Sequence, residues 1–224
     1  PLLFQAGSST RGRSFAATHA ECVFMVETRE TLTGPNNLID DIRAQAARIG
    51  RDPMSVRFFQ GITPVVGATE QEAKRKADEL MDQISMEGML AHISGSIGID
   101  LSDVDLDASL ESIETGSMRG WIKSLVEAEP DKTKTFRDLI RARTVKRFLI
   151  GSPEQVADEL TDWFEMGVDG FNLTYCTTPG TFVDFIDGVV PLLQARGLVQ
   201  KEYQPGTLRE KMLGRPRLGA GHPG

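Results

Sequence analysis

A glycine- and serine-rich turn near the start of the chain carries the residue types best suited to hold a phosphate. After a short apolar run, residues 5–13 read Gln-Ala-Gly-Ser-Ser-Thr-Arg-Gly-Arg. A strand that ends in small residues and turns into a helix exposes backbone N–H groups, hydroxyls and the positive end of the helix dipole. Arg11 and Arg13 could add positive charge. The alternative is that Ser8 or Ser9 only caps the following helix.

Other candidate residues give weaker indications of chemistry. His19 could act as a general base near neutral pH, but its place on the short helix after the turn favours a structural role. Asp169 precedes the last predicted strand, and in a barrel the residues at that end of a strand serve stability. Tyr175, at the other end of the same strand, is better explained by packing, as are Met118 and Trp121. We find no defensible Ser-His-Asp or paired-carboxylate arrangement.

Composition and charge narrow the classes of function. The chain has 224 residues, of which 40% are apolar and 25% charged, as in an ordinary globular protein with one substantial core. Its net charge of −7 argues against a nucleic-acid or anionic-membrane surface. We expect no membrane-spanning segment and no signal peptide. Cys22 and Cys176 predict buried free thiols in a reducing cytoplasm, and the histidines lack the spacing of a metal site.

The elements that must position the turn alternate between strands and helices. Strands are predicted at residues 2–5, 21–26, 56–66 and 170–175. A helix is predicted after each, the third of them capped by Thr69 and Glu72 and the last spanning residues 181–196. This alternation predicts a parallel sheet with right-handed crossovers. Both an open α/β sheet and a (β/α)8 barrel fit, although four units are too few to close a barrel.

The third unit is interrupted by a long helical and polar excursion. Residues from about 85 to 144 lose strand character, and we interpret them as a helical insertion that could form a lid over the catalytic end. The chain returns at residues 148–151, where Ser152 and Pro153 predict the start of another helix. We therefore divide the chain into residues 1–199 and a tail of residues 200–224. The last part of this tail, rich in glycine and proline, is expected to be disordered.

Several motifs, in the same order, resemble one family of flavin-dependent monooxygenases. This is the luciferase-like superfamily, and within it the nitrilotriacetate, EDTA and dibenzothiophene-sulfone monooxygenases. The matching segments are QAGSS..GR..FAA.HAE.VF (residues 5–24), FLIGSPEQVADEL (148–160), DGFNL (169–173), VVPLLQARG (189–197) and TLRE (207–210). The resemblance covers nearly the whole chain and is weakest in the excursion.

The resemblance implies an α/β fold that is the C-terminal half, units 5–8, of a (β/α)8 TIM-type barrel. By the same resemblance, the full-length protein takes reduced FMN from a separate NAD(P)H-dependent flavin reductase and uses it with O2 to oxygenate a small organic compound. Ser8 and Ser9 match the serines that hold the FMN phosphate, with Gly12 at the adjoining helix start; Gly7 and Arg11 complete the expected cofactor-binding set. A cytoplasmic protein, homo-oligomeric at full length, is implied.

The same resemblance leaves the catalytic residues unassigned, because the family's N-terminal half is absent from the sequence. The chain begins abruptly at Pro1 and is expected to be cut from a longer protein, inactive by itself. Two alternatives stay open. The chain could be a non-catalytic half-barrel module that self-associates or pairs with another subunit. It could also belong to a deazaflavin-dependent relative, since a phosphate turn does not distinguish one flavin tail from another.

Overall fold

The computed structural model describes residues 1–98, 100–109, 135–219 and 222. Met118 and Trp121 lie outside these residues. The strands are β1 (Phe4–Ala6), β2 (Cys22–Met25), β3 (Arg57–Val66), β4 (Phe148–Gly151) and β5 (Gly170–Leu173). The α-helices are α1 (Thr10–His19), α2 (Arg29–Thr33), α3 (Leu38–Arg48), α4 (Glu70–Gln83), α5 (Met86–Ile97), α6 (Phe136–Val145), α7 (Pro153–Glu165), α8 (Gly180–Asp184), α9 (Val190–Ala195) and α10 (Leu208–Leu213).

The strands form a parallel sheet organised around β3. β1 pairs with β2, and β2 pairs with the first four residues of β3. Further along β3, residues 59–62 pair with β5 and residues 63–66 pair with β4. With ten residues, β3 is long enough to serve these three neighbours in succession. The predicted α/β class with a parallel sheet is confirmed.

The structure contains one strand more than the sequence analysis counted. Phe148–Gly151 forms β4 and extends the sheet beside the far end of β3. Its four residues are too few to show a period of two, and they lie directly before a strong helix start, so they gave no strand signal. The helix predicted over residues 181–196 is also divided, because a π-helical segment at Phe185–Val189 joins α8 to α9.

One face of the sheet is buried under helices and the other is partly open. Along β3, Phe58, Gln60 and Ile62 are buried, whereas the alternating residues Phe59 and Gly61 are only half-buried. The buried face packs against α1, α3 and α7 on one side and against α7 and the α8–α9 segment on the other. α5 and α6 form a separate small cluster with Leu101 and Phe136. The excursion therefore has a core of its own.

The predicted helix starts are present, with one difference in hydrogen bonding. Ser152 caps α7 in a reciprocal capping box with Gln155, and Pro153 is the first helical residue. Thr69 accepts a hydrogen bond from the backbone N–H of Glu72 at 3.2 Å. The Glu72 carboxylate, however, accepts from the N–H of Ala68 rather than from that of Thr69. The carboxylate thus secures the turn one residue before the predicted position.

The C-terminal tail is tied to the sheet by buried charge. Glu21, fully buried at the start of β2, forms an ion pair with Arg209 of α10 and a second with Arg215. His222 contacts the carbonyl oxygen of His19 at 2.9 Å. The expectation of disorder is therefore wrong for Arg215 and His222, because these side chains have partners on the body of the fold. Among the described residues, no helix combines the length and apolarity needed to cross a membrane.

Candidate functional site

The turn between β1 and α1 presents unused hydrogen-bond donors. Ser9 caps α1, and its hydroxyl oxygen accepts from the N–H of Gly12 at 3.1 Å. Within the described chain, the backbone N–H groups of Thr10 and Arg11 and the hydroxyl of Ser8 have no hydrogen-bond partner. All of these groups are exposed at the carboxyl end of β1, and α1 directs its positive end toward them. The arrangement can bind an anion.

Glycine is required at position 12 by close approach and at position 7 by backbone conformation. A Cβ atom on Gly12 would lie 2.8 Å from the carbonyl oxygen of Gly7, a backbone atom that cannot move aside independently. Gly7 itself has φ of 150°, which side-chain-bearing residues rarely adopt. The first turn of α1 therefore packs directly on the backbone of the turn, which fixes the direction of its free amides.

The two arginines of the turn have different roles. Arg13 was expected to add charge for a ligand, but its guanidinium is used within the protein. Nε donates to the carbonyl oxygen of Ser8 at 2.9 Å, and Nη1 lies 3.2 Å from both the carbonyl oxygen of Asn36 and the carboxylate of Asp41. Arg11, in contrast, is exposed and forms no ion pair with any described residue. Arg13 supports the turn, and Arg11 is free to face an anion.

A cavity of about 700 Å³ opens past the end of β2, beside the middle of β3 and the start of β4, and α6 forms part of its lining. Its wall is organised by Gln60, which is buried within β3. The Gln60 carboxamide accepts from the N–H of Glu27 and donates to the carbonyl oxygen of Glu27, both at 3.1 Å. The side chain thus replaces ladder hydrogen bonds where β2 ends and its chain turns away. A lone amide in an apolar strand was the available sequence signal for this role, but Gln60 was not among the predicted site residues.

The remaining candidates lie at structural positions. Asp169 pairs with Arg57 at 2.7 Å and accepts from the N–H of Phe58 at 2.9 Å, which secures the start of β5. His19 ends α1, so it lies one helix length away from the turn and packs on Phe15 with ring centroids 4.7 Å apart. Tyr175 packs on Phe182 at 5.7 Å. None of these residues joins the turn.

Both cysteines are free thiols, and burial suppresses their ionisation. Burial raises the pKa of the Cys22 thiol to about 11, and the nearby carboxylates of Glu21 and Asp169 add to the increase. Burial also raises the pKa of Cys176. A thiol with a raised pKa is a poor nucleophile at neutral pH. The prediction of buried free thiols is confirmed for Cys22, whereas Cys176 is only partly buried because it lies past the end of β5.

Comparison with known proteins identifies the family. The luciferase-like monooxygenase profile matches residues 1–170. The dimethyl-sulfide monooxygenase of Hyphomicrobium sulfonivorans is 42% identical over 218 residues, covering 96% of this chain and 45% of that protein. Nitrilotriacetate monooxygenase component A of Aminobacter aminovorans is 32% identical, covering 100% of this chain and 51% of that protein. The chain therefore spans about half the length of the curated relatives it matches.

Solved structures agree with the sequence relatives. The crystal structure of DmoA from Hyphomicrobium sulfonivorans matches with a TM-score of 0.84 at 41% identity, over 100% of this chain and 48% of that one. The riboflavin lyase RcaE, whose structure contains modified FMN and riboflavin, matches with a TM-score of 0.78 at 32% identity, over 100% and 50% of the two chains. The fold is half of a (β/α)8 barrel, as expected. The chain belongs to the luciferase-like monooxygenase family.

Proposed function

We propose that this chain is the C-terminal half of a flavin-dependent monooxygenase barrel and that its glycine-serine turn binds the phosphate of reduced FMN. Support comes from the names of the relatives, which include a dimethyl-sulfide and a nitrilotriacetate monooxygenase, and from the modified FMN in the riboflavin lyase structure. The match to only half of each relative favours a chain whose partner strands are supplied by a preceding segment.

The observation that carries this proposal is the set of free donors on the turn. A terminal phosphate needs several donors converging from one side, and the amides of Thr10 and Arg11 with the hydroxyl of Ser8 supply them. Ser9 keeps its place as helix cap and can still donate its hydroxyl hydrogen, because its oxygen is used as an acceptor. Arg11 adds charge at the edge. Gly7 and Gly12 leave the backbone open to close approach.

The chemistry divides between cofactor and protein. Reduced FMN, delivered by a separate flavin reductase, would supply the electrons with which O2 oxygenates a small organic substrate. The residues of this chain bind and orient: the turn fixes the phosphate end, and the partly apolar cavity beside Gln60 offers space for a small organic molecule. The catalytic side chains are not assigned to this half.

The test compares FMN with riboflavin, which differ in the phosphate. We expect the chain to bind oxidised FMN more tightly than riboflavin, measured by quenching of flavin fluorescence. Ser8→Ala should weaken FMN binding about tenfold, the loss of one charge-assisted hydrogen bond, and leave riboflavin unchanged. Ser14→Ala is the matched control, since Ser14 is exposed on the same helix outside the turn. Equal affinities for FMN and riboflavin would remove the basis for the phosphate site.

The activity itself is tested in the complete barrel, joined to its N-terminal half. With NADH, a flavin reductase and candidate substrates, we expect oxygen consumption that depends on reduced FMN. A stable, discrete dimer of the chain with no affinity for flavin would instead favour the non-catalytic module. A bound chromophore with deazaflavin absorbance would replace FMN by that cofactor.

A further inference from the structure

The cavity past the end of β2, beside the middle of β3, is separate from the glycine-serine turn. No residue of the turn lines it, and its volume of about 700 Å³ is that of a small-molecule site. Much of the wall is apolar, formed by Phe24 and Val26 from the β2 end, Leu139 from α6, Leu149 from β4 and Trp163 from α7. These side chains can enclose the carbon skeleton of a small organic molecule.

Cationic side chains stand at the rim of this wall without partners. Arg143 and Arg147 line the cavity and are exposed, and their guanidinium groups form no ion pair or hydrogen bond with any described residue. Two other arginines of the same segment behave differently. Arg137 pairs with Asp107 at 2.8 Å, and Arg141 pairs with Asp82 at 2.8 Å. Arg143 and Arg147 therefore bring two guanidiniums without an ion pair to the same cavity.

The acidic groups of the cavity do not cancel this charge. Glu159 accepts from Arg29 at 2.7 Å and from the indole N–H of Trp163 at 3.0 Å, so its charge is already compensated. Glu27 is the other carboxylate of the lining, and its side chain forms no hydrogen bond or ion pair within the described chain. Hydrogen bonds to its own backbone and to Thr28 keep the pKa of Glu30 below its usual value, and Lys146, which also lines the cavity, adds to this effect, so its charge is shared with that carboxylate. The net charge of the side chains that line the cavity therefore remains positive.

We propose that this cavity binds a small organic anion, with Arg143 and Arg147 as ligands of its carboxylate or sulfonate group and the apolar wall around its carbon skeleton. Guanidinium groups suit this task because their planar donors match the geometry of such oxyanions. The identification of this anion as the substrate rests on the proposed function. The binding of an anion in the cavity is independent of that function.

The probe is naphthalene-2-sulfonate, with the neutral naphthalene-2-sulfonamide as its isostere. The chain has two tryptophans, so in a Trp121→Phe background the fluorescence of Trp163 reports binding at the wall. We expect the sulfonate to bind more tightly than the sulfonamide, and only the sulfonate affinity to fall with added salt. Equal affinities of the two probes would overturn the proposal.

Charge variants give effects of opposite sign that a structural role would not produce. Arg143→Gln and Arg147→Gln should each weaken sulfonate binding about fivefold, the effect of one unit charge at about 4 Å in a water-like medium. Glu27→Gln should strengthen it by removing the uncompensated carboxylate. Arg48→Gln is the matched control, because Arg48 is exposed on α3 away from the cavity, and should change nothing. Equal effects of all three arginine variants would also contradict the proposal.

These measurements are independent of flavin. If FMN and riboflavin bind equally but the sulfonate results hold, the anion site stands and the proposed function fails. If FMN binding depends on Ser8 but the Arg143 and Arg147 variants leave the affinity for the sulfonate unchanged, the proposed function stands and the proposed anion site is wrong.

Discussion

The guanidinium of Arg13 lies 3.2 Å from the carboxylate of Asp41 and so joins the helix after the glycine-serine turn to α3. The same guanidinium holds the carbonyl oxygen of Ser8. A hydrogen bond from Gln45, followed by the contact with Arg13, keeps the pKa of Asp41 below its usual value. The contribution of this carboxylate to stability is therefore present above its unfolded pKa and is lost as the pH falls through the folded value.

Replacing Arg13 tests whether it positions the turn. Arg13→Met should destabilise the fold by about 1 kcal/mol, because two exposed carbonyl oxygens and the part-buried carboxylate of Asp41 lose their donor. It should also reduce the preference for FMN over riboflavin, since Ser8 loses its support. Urea unfolding and flavin titration measure the two effects, with the exposed Arg217→Met as control. A destabilised variant with an unchanged preference for FMN would show that Arg13 does not position the phosphate donors.

Gly12 and Gly88 form a matched pair of helix starts. Each is the third residue of its helix, and each donates its N–H to the capping serine at 3.1 Å. A Cβ on Gly12 would meet the backbone oxygen of Gly7 at 2.8 Å, whereas one on Gly88 would meet Ser85 at an ordinary 3.5 Å. Gly88→Ala should therefore stabilise by about 0.5 to 1 kcal/mol, and Gly12→Ala should destabilise and weaken FMN binding. Thermal unfolding measures the change in stability caused by each substitution. A change of the same sign for both would contradict the close packing of Gly12 on the backbone of Gly7.

The buried pair of Glu21 and Arg209 anchors the C-terminal helix. Arg209→Met should destabilise by about 3 to 5 kcal/mol, because the buried carboxylate of Glu21 loses its main partner. Adding Glu21→Gln should restore part of this loss, since the amide carries no charge to compensate. If the destabilisation of the double variant equals the sum of the two single-variant effects, the two residues are not coupled.

The raised pKa of Cys22 predicts a loss of stability in alkali. The thiol is neutral when buried but ionises readily once unfolded, so the free energy of unfolding is unaffected below the unfolded pKa of 9.0 and falls above it, up to about 11. At pH 10 the decrease should be about 1 kcal/mol. Urea titrations at pH 8 and pH 10 measure it. Cys22→Ala should show a smaller decrease, whereas a decrease equal to that of the unchanged protein would rule out this thiol as the source.

Much of the fold could be read from periodicity, but only where the signal was long. The ten residues of β3 and the amphipathic helices α3, α4 and α7 have apolar periodicity that is long enough to be recognised without knowing the tertiary contacts. β4 was missed because its strand character comes from pairing with the far end of β3, which is distant in sequence. The end of the tail, residues 214–224, was expected to be disordered because it is rich in glycine and proline. Its ordering depends on Glu21, a charge at the other end of the chain.

The sequence by itself determined the glycine-serine turn and its Ser9 cap, because its glycines, serines and helix start are adjacent and act through local backbone geometry. The tertiary structure decided what each charge does. In the folded chain Arg13 pairs with Asp41, and Arg137 and Arg141 pair with aspartates. Arg143 and Arg147 line a cavity and have no ion pair with any described residue. Ion pairs depend on distances between elements far apart in the chain, and residue spacing along the sequence does not contain those distances.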